Sequence, residues 1–419
     1  MPLCHQLTKH SYMSVRSGSH MIDWDSQPRN HKIYPHFYPR YKLESLPSLA
    51  FLELAGGITA KKEFPNTVYY LRSVPSAGGL FPFELYLQIR ADYGIPKGLY
   101  HFEPHSASLV LLREIGREGV EPYFGSNASQ EGIIFLISAP YFRSSWKYRD
   151  RAIRYILLDS GHQLGALQAA LACENMACEI VWDFDKIALA KDFGFGEEEL
   201  FLAAVFSSKI DESKERIPLK SPLPYVSACD YYIPNEFVKK AYNDTVHYHA
   251  KPTRDLPFFQ NTPKEILESA IIKRRSIRGF SQKSISAEEF SFIMQDITLF
   301  ALKHNIDIFY TAHLIDDRAR GLYKNEELIS EGDFRSKSRY LALEQNLGGQ
   351  SAATFYITSN EVECYQKANM IAGLIGHLFY LRSEILGVGC SGIGAYYDDE
   401  AKTFLQTQNN ILYLVAVGR

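Results

Sequence analysis

Cysteine is scarce in this chain: six residues in 419, Cys4, Cys173, Cys178, Cys229, Cys364 and Cys390, with no pair at C-x-x-C spacing. That excludes a disulfide-stapled scaffold and a cysteine zinc or redox motif, and it fits a reducing compartment. Excess charge of either sign is lacking too. Lys and Arg number 45 against 48 Asp and Glu, a formal net charge of −3, so composition offers no surface for nucleic acid or an anionic membrane. No apolar run approaches the roughly 20 residues that span a bilayer. The opening Met1-Pro-Leu-Cys-His-Gln has no apolar signal core, and a cytoplasmic location is the expectation. No metal cluster is expected. Tryptophan is rare, with three residues, whereas 26 Phe and 27 Tyr are scattered along the chain in the manner of core packing.

What the chain has is length and repetition. With 46% hydrophobic and 22% charged residues it has a globular composition, long enough for two ordinary domains. Glu84-Leu-Tyr-Leu-Gln-Ile-Arg alternates as a strand and is followed by Gly98-Leu99-Tyr100. Asp307-Ile-Phe-Tyr-Thr-Ala-His does the same ahead of Gly321-Leu322-Tyr323, at equal spacing. Phe135-Leu-Ile-Ser-Ala-Pro and Phe355-Tyr-Ile-Thr-Ser-Asn form a second matched pair of strands. A helix with small residues on one face follows each: Tyr155–Cys173 with Gly161, Gly165 and Ala169, and Ala368–Leu386 with Gly373 and Gly376. Each half closes on a strand, Leu202–Phe206 or Ile411–Val417. The offset is 223 residues from Glu84 to Asp307 and 220 from Phe135 to Phe355, about one α+β domain. The expected plan is a lead segment 1–45, a first domain 46–207, a connection 208–260 and a second domain 261–419. The connection is punctuated by Pro218, Pro222, Pro224, Pro234, Pro252 and Pro257.

Three turns stand out. Pro75-Ser76-Ala77-Gly78-Gly79 is a small-residue turn that lets a planar ring approach the backbone. Arg274-Arg275-Ser276-Ile277-Arg278 is basic and hydroxyl-bearing, suited to a phosphate through paired, charge-assisted hydrogen bonds. Gly392-Ile393-Gly394-Ala395 follows the second small-residue helix. On residues alone each has a plainer reading: an ordinary turn, a solvated helix start and a helix-to-strand loop. Lys147-Tyr148, ahead of Arg149, Asp150, Arg151 and Arg154, reads alone as the charged start of a helix. Asp159 and His162, one helical turn apart, read as packing or a local hydrogen bond. Tyr396 and Tyr397 read as pocket lining or as core.

The first half resembles the SagB/ThcOx-type branch of the nitroreductase superfamily. The resemblance is carried by Arg72-Ser-Val-Pro-Ser-Ala-Gly-Gly-Leu-Phe-Pro, Glu84-Leu-Tyr, Gly98-Leu-Tyr-His and Lys147-Tyr-Arg-Asp-Arg-Ala-Ile-Arg-Tyr. Thr8-Lys-His-Ser, Val15-Arg, Asp23-Trp and Gln27-Pro in the lead segment look like the same branch. The second half resembles the generic nitroreductase domain through Arg274-Arg-Ser-Ile-Arg-Gly-Phe and Leu386-Gly-Val-Gly-Cys-Ser-Gly-Ile-Gly-Ala-Tyr.

The resemblance implies an α+β chain of two fused nitroreductase-like domains, each a mostly antiparallel sheet wrapped by helices. They would pack as an intrachain pseudo-dimer that is itself monomeric and holds FMN between its halves. By that resemblance Arg274, Arg275, Ser276 and Arg278 hold the phosphate and ribityl chain, and Ile393, Gly394 and Ala395 flank the reactive edge. Pro75, Ser76, Ala77, Gly78 and Gly79 support the ring from the other half, and Arg419 is a further phosphate ligand. The mirror-image site is expected to be lost. Ala55-Gly-Gly-Ile-Thr stands where the second half has its arginine turn and offers no cation, and Trp182-Asp183 stands for Gly394-Ala395. One FMN per chain follows.

In family members that oxidise peptide azolines, a Lys-Tyr dipeptide here is linked to catalysis, which makes Lys147 and Tyr148 the catalytic pair. Neighbouring Arg149 and Arg151 would favour a neutral, basic Lys147. The implied activity is an FMN-dependent dehydrogenase acting on an azoline or related C–N bond of a small molecule or modified peptide. The alternatives are an NAD(P)H-dependent reductase of nitroaromatics or quinones, and a non-catalytic flavin-binding scaffold. No leader-peptide-binding domain is visible, which counts against the peptide version.

Overall fold

The first unit's strands are β1 (Arg40–Lys42), β2 (Ile58–Phe64), β3 (Thr67–Arg72), β4 (Glu84–Ile89), β5 (Gly98–Glu103), β6 (Ser108–Glu114), β7 (Ala128–Pro140), β8 (Glu179–Val181) and β9 (Glu199–Glu215). Strands β10 (Ile306–Ala312), β11 (Gly321–Lys324), β12 (Glu327–Glu331), β13 (Ala353–Ser359), β14 (Gly389–Ile393) and β15 (Asn410–Gly418) follow. The computed structural model describes residues 2–18, 21–64, 67–254, 256 and 258–419. Contacts divide the chain into two units, Asp23–Gln260 and Met1–Ile22 with Asn261–Arg419. The fold is α+β with antiparallel sheets. The first unit holds a sheet ordered β1-β6-β5-β4-β7-β9-β8 and the hairpin β2-β3, and the second holds a sheet ordered β12-β11-β10-β13-β15-β14.

The two large sheets share more than their order. Leu87 pairs with Phe135 as Tyr310 pairs with Phe355, and Ile89 pairs with Gly98 as Ala312 pairs with Gly321. A slip of one residue would turn every buried side chain to the wrong face, so the alternating pattern holds this register. Each unit also has one long helix, Ala152–Cys173 or Tyr365–Ile385, buried on nearly every side. Both helices therefore lack a solvated face, and polar residues such as Asp159 and Gln163 in one and Asn369 and His377 in the other are buried with the apolar ones.

Residues 208–260 are more structured than an irregular connection. Strand β9 runs on to Glu215, and Glu236–Val246 forms a helix whose first turn is capped by the Asn235 side chain. Val238, Ala241, Tyr242, Thr245 and Val246 recur at helical spacing and are buried. The Tyr242 hydroxyl donates to the Phe201 carbonyl at 2.7 Å. The lead segment is divided. Helices Leu3–Leu7 and Tyr12–Ser17 belong to the second unit, where the His10 amide donates to Asp398 at 2.8 Å and Lys9 pairs with Asp399 at 2.6 Å. Tyr34 and Tyr38 join the first unit's core. Among the described residues no helix is long and apolar enough to cross a membrane, and no group of His, Cys, Asp or Glu is placed to hold a metal ion.

Candidate functional site

In the first unit the Pro75–Gly79 turn leaves β3 with Gly78 and Gly79 at φ of 69° and 68°, a left-handed conformation that glycine adopts at little cost. Asp159 of the buried helix holds the turn. Ser76 Oγ donates to its Oδ2 at 2.6 Å, and the Ala77 amide donates to its two oxygens at 3.1 and 3.3 Å. The Phe81 amide donates back to Ser76 Oγ at 2.9 Å. Burial pushes the Asp159 carboxyl up to about 7, against the pull of the Ser76 and Ala77 hydrogen bonds.

The same turn meets Lys147 and Tyr148. A side-chain carbon on Gly78 would lie 2.9 Å from the Tyr148 hydroxyl and 3.1 Å from Lys147 Nζ, whereas one on Gly79 would meet nothing within 4 Å. The Lys147 ammonium lies 4.8 Å from the Trp24 ring centre and 5.4 Å from that of Tyr148. Tyr148 packs on Tyr155 with ring centres 4.2 Å apart. This placement has a buried cause. Arg143, on the helix Phe142–Tyr148, donates to Glu84 at the start of β4 at 2.5 Å and to the carbonyls of Phe81 and Ala228 at 3.0 and 2.7 Å. His101 and the Lys32 amide meet the same carboxylate at 2.8 and 2.7 Å. Burial alone would raise the Glu84 carboxyl, but Arg143 and His101 hold it well below the ordinary range. The strand that follows the turn and the helix that carries Lys147 are thus pinned to one charge.

In the second unit Arg274 ends the helix Lys264–Lys273 and is buried, its guanidinium 5.3 Å from the Tyr380 ring centre. Burial lowers it to about 10. The Tyr380 hydroxyl joins two of the expected segments: it meets Ser276 Oγ at 2.7 Å and accepts from the Gly392 amide at 2.7 Å. The Ile277 amide donates to the Cys390 carbonyl at 3.2 Å, so the basic turn lies along the edge of β14. A Cβ on Gly392 would fall 1.7 Å from the Tyr413 hydroxyl, so a larger residue there would have to displace that ring. Arg275 donates to the carbonyls of Ile272 and Arg274 at 2.9 and 2.6 Å. Arg278 is exposed and has no ion-pair partner among the described residues. Ile393 is buried opposite Leu414, and Gly394 and Ala395 are half-buried just beyond. Arg419 bonds to the Glu289 carboxylate. Tyr396 donates to the Ile411 carbonyl at 2.8 Å and Tyr397 packs on Tyr12 and Tyr340, so both belong to the packing.

The corresponding edge of the first unit is built otherwise. Thr253 pairs with Ile180 on β8 through amide–carbonyl bonds of 2.9 and 2.8 Å. Buried Trp182 donates to Thr253 Oγ1 at 3.0 Å, and Asp183 meets His249 at 2.8 Å. Where Ala55-Gly-Gly-Ile-Thr showed no cation, Arg72 supplies one from β3, donating to the Gly56 carbonyl at 2.7 Å and lying over the rings of Phe81 and Phe83. Sequence reasoning missed Tyr380, Arg143 and Trp24 as site residues and gave Asp159 only a local role. No local pattern marks Tyr380 or Arg143, whose contacts with Ser276 and Glu84 are distant in sequence, and Trp24 entered only through the Asp23-Trp resemblance.

Residues 271–419 match the model of the nitroreductase family. A Methanocaldococcus jannaschii protein that carries a provisional nitroreductase name is 32% identical over 114 residues, 26% of this chain and 52% of that protein. The chain thus spans about half the length of that curated relative. A solved structure of an Anabaena variabilis protein, provisionally named a nitroreductase, superposes with a TM-score of 0.80 over 99% of this chain and 98% of the other. The superposition shows a shared fold, and at 23% identity the likeness extends to the fold alone.

Proposed function

We propose that this chain is an FMN-dependent oxidoreductase of the SagB/ThcOx type, built from two copies of one domain. The units would act as the two halves of a nitroreductase-like dimer and hold one flavin per chain. The observation that carries the reading is the convergence of Lys147 and Tyr148 on Gly78. The matching strand order and register of the two sheets support duplication. The residues present suit the cofactor: a guanidinium without a carboxylate partner at Arg278 and a half-buried hydroxyl at Ser276 match a phosphate. Half-buried Gly394 and Ala395 leave backbone accessible to a ring edge. The pairing of the two units around one flavin is a reading carried from the sequence, and stoichiometry tests it.

FMN, when bound, accepts hydride from substrate carbon. In its neutral form Lys147, beside Trp24 and Gly78, would take the proton from the neighbouring substrate atom, and the Tyr148 hydroxyl would orient or relay it. Azoline-type C–N bonds in a small molecule or modified peptide are the proposed substrates. The reverse electron flow, NAD(P)H-driven reduction of a nitroaromatic or quinone, is favoured by one observation, the open aromatic cavity beside Trp24.

The test is the visible spectrum and flavin-to-chain ratio of the purified protein, with the released cofactor identified. About one FMN per chain is expected. Arg274→Ala with Arg278→Ala should release it, and changing Lys61 and Lys62 should not. Lys147→Ala should retain flavin and slow substrate oxidation. Equal flavin loss from both sets of changes would refute the assigned site, and unchanged turnover would remove Lys147 from the mechanism.

A further inference from the structure

The first unit contains an open cavity of about 370 Å³ that none of the assigned flavin-binding residues lines. Its walls are aromatic and exposed: Trp24 on one segment, Tyr69 and Tyr70 on β3. Its floor is a pair of imidazoles, His31 and His105, stacked with ring centres 3.6 Å apart and planes at 23°. Tyr70 stands edge-on to His105 at 4.8 Å. Burial, helped by His105, pushes His31 down to about 3, and burial also lowers His105. Stacking at this distance favours the neutral form of both rings, since two imidazolium charges would repel each other.

One cation borders this aromatic space. Arg29 spends its Nε on the His31 carbonyl at 2.9 Å and its amide on Asp230 at 2.9 Å. It has no side-chain carboxylate partner among the described residues, and its terminal nitrogens remain for a ligand. The cavity also adjoins the catalytic groups. Trp24 lines it and carries Lys147 on its ring, and Asn30 lines it while its Nδ2 lies 3.5 Å from the Gly79 carbonyl.

We propose that this cavity binds a planar aromatic carboxylate, its ring against Trp24 and Tyr69 and its carboxylate on the Arg29 guanidinium. Aromatic faces give a flat ring area and preferred stacking geometry, and guanidinium takes a carboxylate in paired hydrogen bonds. The volume lies in the range of small-molecule sites. Naming this molecule the substrate rests on the oxidoreductase reading; the binding does not.

The experiment is calorimetric titration of the full chain with 4-nitrobenzoate, and with uncharged 4-nitrotoluene as the control. The wild type should bind both. Arg29→Gln should weaken 4-nitrobenzoate by about tenfold or more and leave 4-nitrotoluene within about twofold, as expected for loss of a charge-assisted pair. Tyr69→Ala should weaken both. Absence of binding to the wild type, or equal affinity of Arg29→Gln for 4-nitrobenzoate, would overturn the proposal. Flavin content read on the same samples separates the two readings. Arg29-dependent binding by protein that takes up no FMN defeats the flavin reading alone, and FMN-loaded protein without such binding defeats the cavity alone.

Discussion

Replacing Asp159 with Asn should change how stability depends on pH more than it changes stability itself. The carboxyl is buried in the long helix and its pKa is raised from 3.8 to about 7. A folded-state pKa above the unfolded value means the folded form binds the proton more tightly. Stability from this group is then greatest below about pH 4, falls as pH rises to about 7 and is level above that. A shift of about three units at roughly 1.4 kcal/mol each places the full cost near 4 kcal/mol, of which about 2–3 kcal/mol develops between pH 5 and 8. Asparagine removes the ionisation and keeps an oxygen for Ser76 Oγ and the Ala77 amide, at a pH-independent cost of about 1 kcal/mol in weakened hydrogen bonds. The two proteins should therefore differ by less than about 1 kcal/mol at pH 5, with Asp159→Asn the more stable by about 3 kcal/mol at pH 8. All three tryptophans, Trp24, Trp146 and Trp182, lie in the first unit, so urea unfolding followed by indole fluorescence reports on it selectively. Parallel stability curves from pH 5 to 8 would refute the reasoning, because titrating groups common to both proteins cancel in the difference.

Other changes probe other contacts. Gly78→Ala should cost about 1–2 kcal/mol for a left-handed alanine and displace Lys147 and Tyr148, so turnover and Trp24 emission should change while far-ultraviolet circular dichroism does not. Tyr380→Phe removes the hydroxyl that meets Ser276 and Gly392; a loss of about 1–2 kcal/mol should appear as roughly tenfold faster hydrogen exchange at the Gly392 amide. Lys186 is buried and lowered to about 7, so its charge costs stability below about pH 7 and less as pH rises toward 10. Lys186→Met should be more stable than the wild type at pH 7, with an advantage that shrinks by pH 10 in the same fluorescence assay.

Much of the fold was legible because the signals were local. The alternation in Glu84–Arg90 and Asp307–His313 places β4 and β10 to within about a residue, and the two small-residue helices were recognised within three residues of their ends. The helix Glu236–Val246 was hidden by the prolines on either side, although its apolar residues recur at helical spacing. The aromatic residues misled in the opposite direction. Tyr69 and Tyr70, read with the other tyrosines as core, are exposed and line the cavity with Trp24. The partners that organise the turns lie far along the chain, 83 residues from Ser76 to Asp159 and 104 from Ser276 to Tyr380, and no periodicity encodes such pairs.

The unlike edges of the two sheets have a physical origin in residues 208–260. An outer strand presents unpaired amides and carbonyls that some other segment must satisfy. At β14 the neighbour is the basic turn: one amide–carbonyl bond from Ile277 to Cys390, with the Tyr380 hydroxyl completing the seam at Gly392. At β8 the neighbour is Thr253, which satisfies Ile180 in both directions and takes the Trp182 indole proton on its hydroxyl. A basic turn laid there would first have to break two backbone bonds and strand a buried indole donor. Each unsatisfied buried group would cost about 1–3 kcal/mol. At Thr253 the segment 208–260 therefore occupies the first unit's sheet edge, the position along β14 that the basic turn takes in the second unit.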